Sequence, residues 1–430
     1  MPRLREGIGR IGLPDVEKRV RIEYSRTASF KLKMRGVWSV EWVCSQKLGE
    51  AGDEKGGVHE LRSMDRVLKV FWRSREEERN MKRNLFVIAT IMVVSLIFSA
   101  SLFATGQKEG PTTLAISIRT LSNPYQNNYK VGAEAYGKSI GLPVDVLTTE
   151  ANSQKGLTDI KAEVAKTNGN VVFFIDPNQE TDDVAIAQIL DQAGVYFLTW
   201  WNKPADVKVW SYKHWVAHVS FDGVAAGYFT ATEMFKAFKT PNQGKVFAIQ
   251  GLLANTPAEE RFQGLQKAIA DNPGVQLVQW VAGDWDRTKA YGQTREMLIA
   301  HPDIDGVWCA NDDMAMGAIQ ALKEAGLAGK VAVTGTDGIP EMFDAIKAGT
   351  AVATVMNDAK YQTGLGLAMS LAAKQGKLDV AAQPQKYRQF EIPAVNVNKA
   401  NVDKIVHDYL DNTPNYDFTN FYAKWSVAIP

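Results

Sequence analysis

Polar and aromatic side chains recur directly after short apolar runs that are typical of β-strands. These strand-end residues are Asn123, Tyr125 and Gln126, Trp201 and Asn202, Arg261, Trp285, Asn311, Asp337, and Asn357. Carboxylate, amide and guanidinium groups can pair with neighbouring hydroxyls, which both donate and accept hydrogen bonds. Aromatic rings can support the apolar C–H face of a sugar. Since no nucleophile in the set stands beside a base, the pattern predicts noncovalent binding of a polyhydroxylated small molecule.

Each of these residues also has a simpler explanation when it is taken alone. Asn311 and Asp337 stand where helix N-caps are expected, and Pro340 suits the first turn of the helix after Asp337. Arg261 could form a surface ion pair with a neighbouring glutamate, and Trp285 could be a core aromatic. Only the recurrence of such residues at many strand ends favours a shared site.

Ten apolar runs alternate with stretches of helical spacing after residue 111. They are TTLAISI, PVDVLTT, NVVFFID, VYFLTW, WVAHVS, KVFAIQG, VQLVQWVAG, DGVWCAN, KVAVTGT and AVATVMN. Continuous apolar strands separated by helices indicate parallel sheets covered on both faces, and ten such strands favour two sheets. Ligands bind beyond the C-terminal ends of such strands, so the strand-end residues should face one cleft. The long polar connection NKPADVKVWSYKH, at 202–214, is the predicted break between the sheets.

Several motifs resemble, in order and spacing, those of the ribose-type periplasmic sugar-binding proteins of ABC importers. They are TLSNPYQ, AEERFQG, GDWDR, ANDDMAMGAIQAL, GTDGIPEMFDAIKAG and ATVMN, and the resemblance covers 112–397, about two thirds of the chain. It implies an α/β fold of two Rossmann-like lobes with parallel sheets, joined by a three-crossover hinge that closes on ligand in the cleft. The implied N-terminal lobe is 112–213 plus 358–395, and the C-terminal lobe is 214–357 plus the tail, 396–430.

The resemblance also implies roles for particular residues. Asn123 and Tyr125 would contact the sugar from the first lobe. The contacts from the second lobe or its hinge edge would be Arg261, Trp285, Asn311, Asp337 and Asn357. The sequence departs from the family where Trp201 and Asn202 replace an Asp-Arg pair and Gln126 replaces an aromatic residue. Ribose is therefore a poor fit, and the identity of the sugar or polyol stays open, as does the role of the aromatic tail at 409–430.

We therefore expect an extracytoplasmic solute-binding protein, a monomer, that delivers its ligand to an ABC permease and its ATPase. We expect no enzyme, cofactor, metal or nucleic acid, because no GxSxG, P-loop, CxxC or HExxH motif occurs. The net charge of +1 offers no basic field for nucleic acid. Cys44 and Cys309, the two cysteines of the sequence, cannot build a multi-cysteine metal site. Regulators of the lactose-repressor type share the fold, but they need a helix-turn-helix where this chain has an apolar segment.

That apolar segment, 81–104, has the order of a signal peptide: positive, apolar, then small residues up to Ala104. It predicts a periplasmic location. The alternative is an uncleaved anchor, which would make the protein a membrane-anchored sugar sensor for a signalling or chemotaxis partner. Residues 1–80 are rich in charged residues and glycine, so they are interpreted as a disordered or mis-assigned extension. Residues 105–111 would be a linker.

Overall fold

The computed structural model describes residues 110–412 and 414–429, together with the backbone of three short strands nearer the N-terminus. The chain divides into two compact units, Met1–Gln107 and Lys108–Pro430. The predicted signal peptide at 81–104 lies outside the described residues. No helix in the described part of the chain is long and apolar enough to cross a membrane.

In the first unit, three strands form an antiparallel sheet in sequence order. They are β1 (Arg21–Tyr24), β2 (Ser29–Lys33) and β3 (Ser39–Val43). They were not predicted, because four or five residues are too few for a sustained alternation of apolar and polar positions. For the rest of 1–80, which lies outside the described residues, the predicted extension stays a prediction.

The second unit contains thirteen further strands and ten α-helices in its described residues. The strands are β4 (Thr113–Ile118), β5 (Val144–Thr148), β6 (Val171–Ile175), β7 (Phe197–Trp200), β8 (Trp215–Ser220), β9 (Gly244–Gln250), β10 (Val275–Ala282), β11 (Gly306–Cys309), β12 (Ala332–Thr334), β13 (Ala353–Met356), β14 (Gln389–Glu391), β15 (Val395–Asn398) and β16 (Val427–Ala428). The helices are α1 (Pro124–Ile140), α2 (Ser153–Lys166), α3 (Glu180–Gln192), α4 (Gly223–Lys236), α5 (Thr256–Asp271), α6 (Arg287–Ala300), α7 (Asp312–Glu324), α8 (Pro340–Ala348), α9 (Ala359–Lys374) and α10 (Val402–Val406).

The strands of this unit form two sheets. The seven-stranded sheet has the order β16-β14-β8-β7-β6-β4-β5, and the six-stranded sheet has the order β10-β9-β11-β12-β13-β15. All pairings are parallel except β16 with β14 and β15 with β13. We call the first sheet with its helices the N-terminal lobe and the second with its helices the C-terminal lobe.

The central strand β6 shows why these sequences build covered parallel sheets. Phe173 packs in one buried cluster with Ile160 of α2 and Ile186 of α3, whereas Phe174 packs in another with Tyr129 of α1. Because successive side chains point to opposite faces, a run of apolar residues needs helices on both sides. Each such buried side chain stabilises the fold by about 1.5–3 kcal/mol. The ten predicted strands are present as β4–β13, and the predicted α/β fold class is confirmed.

The predicted lobe boundary before residue 214 is wrong. Strand β8 lies inside the seven-stranded sheet, where it pairs with β7 and β14, so 214–220 belong to the N-terminal lobe. The long polar connection before it returns to the same sheet because Arg388, next to β14, holds it. The buried guanidinium of Arg388 donates to the backbone carbonyls of Val209, Tyr212 and Trp215.

The predicted place of the tail in the C-terminal lobe is also wrong for 414–429. The chain makes the three predicted crossovers, after β8, after β13 and between β14 and β15, and then a fourth, after residue 411, back to the N-terminal lobe. There the Tyr416 hydroxyl donates to Asp358 Oδ2 at 2.6 Å, and the Phe418 ring packs beside Tyr136 and Tyr361. The aromatic composition of the tail is thus explained by packing over α1 and α9.

Candidate ligand-binding cleft

A cavity lies between the lobes, at the C-terminal ends of the strands of both sheets. It spans ≈ 370 Å³ of space without protein atoms, part of which is open to solvent. Its lining residues are Arg119, Asn123, Tyr125, Gln126, Asp176, Trp201, Asn255, Pro257, Arg261, Trp285, Asn311 and Asp337. Eight of the ten strand-end residues selected from the sequence are among them, so the structure brings most of the predicted site together.

The N-terminal lobe contributes an aromatic wall whose polar groups already have partners. Trp201 Nε1 donates to the Tyr129 hydroxyl at 2.7 Å, which donates to the Tyr125 hydroxyl at 3.3 Å. The Tyr125 hydroxyl donates in turn to Gln362 Oε1 at 2.8 Å. Burial raises the pKa of Tyr125 and of Tyr129 well above the ordinary value, so both remain protonated. Trp201 and Tyr125 therefore offer the cavity mainly their ring surfaces.

Asn123 both caps a helix and lines the cavity. Its side chain caps α1, where Oδ1 accepts from the backbone N–H of Tyr125 at 3.0 Å and of Gln126 at 3.2 Å. The capping holds Asn123 at the cavity wall, at 8% exposure. Capping and lining are therefore compatible functions of one side chain.

Arg261 is the central cation of the C-terminal lobe. It is 3% exposed, and its guanidinium lies 5.0 Å from the ring centroid of Trp201 and 5.5 Å from that of Trp285. It donates to the Ala310 carbonyl at 2.8 Å and lies 3.5 Å from Asp337 Oδ1. Since its carboxylate partner is in the cavity, the alternative of a surface ion pair does not describe it. Its guanidinium also lies 5.4 Å from the ring centroid of Phe221, so Arg261 contacts aromatic rings of both lobes.

Asp337 and Asn311 form the acidic end of the cavity. Burial raises the pKa of Asp337 well above its ordinary value, while the positive charge of Arg261 and a hydrogen bond from Asn311 oppose that rise. Asn311 Oδ1 also caps α7 by accepting from the Met314 N–H at 3.0 Å. Asp337 does not cap α8, whose N-cap is Ile339 without a side-chain bond. Its carboxylate is therefore held for another purpose than helix capping.

The turn that carries Asp337 depends on Asp312, which sequence reasoning missed. Asp312 Oδ2 accepts from the backbone N–H of Gly338 at 2.7 Å and of Ile339 at 3.0 Å. Its Oδ1 accepts from Thr354 Oγ1 at 2.8 Å. These bonds fix the backbone on which Asp337 is presented, so Asp312 is a positioning residue behind the cavity.

Three lining residues have a backbone conformation that side chains with a Cβ rarely adopt. The φ angles are 71° at Trp201, 62° at Trp285 and 136° at Asp337. Such conformations cost about 1–3 kcal/mol each and are retained where the surroundings hold them, often at functional sites. Their concentration on cavity loops supports a functional origin for the cavity.

The other two predicted residues, Asn202 and Asn357, do not line the cavity. Asn202 is fully buried and links the lobes: Nδ2 donates to the Pro177 carbonyl at 2.7 Å, and Oδ1 accepts from the Thr256 N–H at 3.1 Å. Asn357 lies in the second crossover, with its backbone N–H donating to the Asp337 carbonyl at 3.1 Å. Their predicted contact with ligand stays a prediction.

Further contacts join the lobes beside Asn202. Asn255 Nδ2 donates to the Asn178 carbonyl at 2.9 Å, and Thr256 Oγ1 donates to Glu180 Oε1 at 2.8 Å. Both donors stand at the start of α5 in the C-terminal lobe, and both acceptors follow β6 in the N-terminal lobe. The cleft is therefore closed along this edge.

Four lining residues were missed by sequence reasoning: Arg119, Asp176, Asn255 and Pro257. Arg119 follows β4 directly and Asp176 follows β6 directly, so a stricter use of the strand-end rule would have found both. Asn255 and Pro257 stand at the start of α5 and are placed by the inter-lobe contacts.

Several buried polar atoms of the lining have no hydrogen-bond partner in the described part of the chain. The acceptors are Asp176 Oδ1 and Asn255 Oδ1, and the donors are Arg119 Nε, Arg261 Nε and Trp285 Nε1. Leaving such an atom unsatisfied costs about 1–3 kcal/mol, more when it is charged. A ligand that both donates and accepts hydrogen bonds would satisfy them.

Comparisons with known proteins agree with this architecture. A periplasmic binding protein domain matches residues 114–378. The D-allose-binding periplasmic protein of Escherichia coli (strain K12) is 31% identical over 293 residues, which is 66% of this chain and 90% of that relative. The ribose import binding protein of Salmonella typhimurium is 32% identical over 273 residues, 63% of this chain and 87% of that relative. A solved structure that this chain resembles is the crystal structure of a twin-arginine translocation pathway signal protein from Burkholderia phytofirmans. The two chains superpose with a TM-score of 0.72 and 42% sequence identity, over 75% of this chain and 99% of the other.

Proposed function

Because the chain belongs to the periplasmic-binding-protein family, of the ribose-binding type, we propose that it is an extracytoplasmic solute-binding protein of an ABC importer. It captures a monosaccharide or a related polyol between its lobes and delivers it to a permease and its ATPase. The names of its relatives, which bind D-allose and ribose, support a sugar ligand.

The observation that carries this proposal is the set of unsatisfied polar atoms in the cavity. The lining combines unpaired donors and unpaired acceptors with aromatic rings of both lobes, which suits vicinal hydroxyls and a C–H face. Ligand that contacts both lobes favours the closed state by its higher affinity for that state. We therefore propose hinge closure as the binding mechanism, with Arg261 and Trp201 meeting across the cleft.

The remaining features of the proposal follow from the family and the site. The relatives are solute-binding proteins rather than enzymes, and the cavity lining contains no nucleophile paired with a base. We propose a periplasmic location, a monomeric state and no nucleic-acid partner. We propose the eight strand-end residues that line the cavity as ligand contacts, and we propose that Asn202 and Asn357 contribute through the closed geometry.

Calorimetric titration of the purified full chain with D-allose, D-ribose, xylitol and myo-inositol tests the proposal. We expect at least one of them to bind with 1:1 stoichiometry and to raise the melting temperature. Ligand at about 100 times its Kd should add about 2.7 kcal/mol to the free energy of unfolding. Absence of binding by all four, with a folded protein, would contradict a sugar- or polyol-binding function of this kind.

A further inference from the structure

Arg119 and Asp176 lie next to each other at one edge of the N-terminal lobe. Their strands β4 and β6 pair in parallel, with Ser117 opposite Ile175. The Asp176 N–H donates to the Ser117 carbonyl at 2.9 Å, which continues the ladder past the strand end. The sheet therefore delivers a guanidinium and a carboxylate to the same wall of the cavity.

Gln126 holds this corner together and leaves part of the carboxylate free. Its Oε1 accepts from the Arg119 backbone N–H at 3.0 Å, and its Nε2 donates to Asp176 Oδ2 at 2.6 Å. Both ends of the Gln126 amide are thus engaged within the protein. Gln126 acts as a positioning residue, which orients Asp176 so that Oδ1 stays available.

Both residues line the cavity, and each has one buried polar atom that is left unpaired. Asp176 is 2% exposed, yet its Oδ1 has no hydrogen-bond partner in that part of the chain, and neither has Arg119 Nε. Burial raises the pKa of Asp176, and the positive charge of Arg119 offsets the rise only in part. A ligand hydroxyl between the two groups could donate to the carboxylate and accept from the guanidinium.

Several other polar groups of this wall are already engaged. Trp201 Nε1 and the Tyr125 hydroxyl donate to protein acceptors, and both ends of the Asn202 amide bond to backbone groups. Among its charged groups, Asp176 Oδ1 and Arg119 Nε have no hydrogen-bond partner in the described part of the chain. The polar groups that the N-terminal lobe offers to a ligand therefore come mainly from the residues after β4 and β6, whereas the residue after β7, Trp201, offers an aromatic ring.

We propose that Arg119 and Asp176 grip neighbouring hydroxyls of the ligand and determine which sugar or polyol the cleft accepts. This inference rests on the proposed function and specifies its chemistry. The buried and unpaired Oδ1 of Asp176 needs a donor, so a neutral hydroxyl fits beside it, and a carboxylate group of a sugar acid there would be repelled. A ligand that lacks the hydroxyl would leave both protein groups buried and unsatisfied.

The test is calorimetric titration of wild type, Asp176→Asn and Arg119→Met with D-allose, D-ribose, xylitol and myo-inositol. Loss of a hydrogen bond to a charged group should weaken the best-binding of these by about 10- to 100-fold in each variant. Asp182→Asn is the matched control: Asp182 is a buried carboxylate of the same lobe that does not line the cavity. The affinity of Asp182→Asn for the same compound should equal that of wild type.

A second measurement separates ligand binding from a structural role. Because burial disfavours the charged form of Asp176, Asp176→Asn should leave the urea midpoint of the ligand-free protein unchanged or higher. The inference would be overturned, with the proposed function left standing, if Asp176→Asn bound within twofold of wild type. It would also be overturned if the variant lost as much free energy of unfolding without ligand as it lost binding free energy. Wild type that binds none of the four compounds would overturn the proposed function and this inference with it.

Discussion

The ion pair between Arg261 and Asp337 offers the sharpest test of how the site is built. Both side chains are buried, at 3% and 5% exposure, and their closest atoms are 3.5 Å apart. Arg261→Met would remove the hydrogen bond to the Ala310 carbonyl and leave the Asp337 carboxylate buried without its cation. Removing one partner of a buried pair costs about 3–5 kcal/mol. A domain with ~5–15 kcal/mol of stability should remain folded without ligand.

The double variant Arg261→Met/Asp337→Asn should regain part of this loss. It no longer contains the uncompensated charge, so the coupling energy in a double-mutant cycle should be about 0.5–3 kcal/mol. Sugar binding should not be regained, because both groups are proposed to contact ligand. Urea denaturation gives the stabilities, and titration calorimetry gives the affinities. Additive losses of stability in the cycle, or a double variant that binds like wild type, would refute the reasoning.

The pH dependence of the single variant gives an internal check. Burial raises the pKa of Asp337 in the folded protein, so its charged form opposes folding, and the free energy of unfolding falls as pH rises past the unfolded pKa. Without the Arg261 cation this effect should grow. The stability difference between wild type and Arg261→Met should therefore narrow as the pH is lowered toward about 4. A difference that stays constant with pH would contradict this account of the pair.

Three further predictions concern Glu260, the C-terminal tail and the hydrogen bonds between the lobes. Burial, together with the negative charges of Glu391 and Asp222, raises the pKa of Glu260 to about 7, so stability should fall by up to about 3 kcal/mol as pH rises from the unfolded pKa to that value. Glu260→Gln should flatten this fall in urea midpoints, and an unchanged slope would count against the assignment. Phe418 is half-buried, so Phe418→Ala should lower the free energy of unfolding by less than the ~3–5 kcal/mol of a core Phe→Ala change. Sugar affinity should not change, because the ring packs on the N-terminal lobe away from the cavity. Equal stability by urea denaturation would contradict this packing. Asn202→Ala should weaken the affinity for every ligand by the same factor of about 2–10, because it removes an inter-lobe hydrogen bond of the closed state. If titration shows affinity losses that differ between ligands, Asn202 contacts the ligand directly.

The strands and helices of the second unit could be predicted because each gives a short pattern of apolar and polar residues. Apolar runs such as VVFFI and WVAHVS, separated by helical spacing, predict strands buried on both faces. The sheet to which β8 belongs could not be predicted in this way. It depends on Arg388, about 170 residues further along the chain, which binds the carbonyls of the preceding loop. The two residues of β16 are likewise too few to give any periodic signal.

The site was predictable to the extent that strand ends meet at one edge of a parallel sheet. This rule found Arg261 and Asp337, but it says nothing about which polar atoms are already satisfied. Asn202 satisfied the rule, yet its amide is consumed by a bond within its own lobe and one to the other lobe. Asp176 also satisfied it and was passed over, although its Oδ1 is among the unpaired acceptors of the cavity. Whether a polar atom already has a hydrogen-bond partner depends on the folded structure and cannot be predicted from the residue type.

The most direct test of the central claim is a crystal structure of the protein grown with the sugar or polyol that binds best in titration. We expect ligand density in the cavity between the lobes, with hydroxyl oxygens within about 3.2 Å of Asp176 Oδ1 and of the Arg261 guanidinium. We also expect a C–H face of the ligand to rest on Trp201 or Trp285. Ligand bound elsewhere, with this cavity occupied only by water, would contradict the claim.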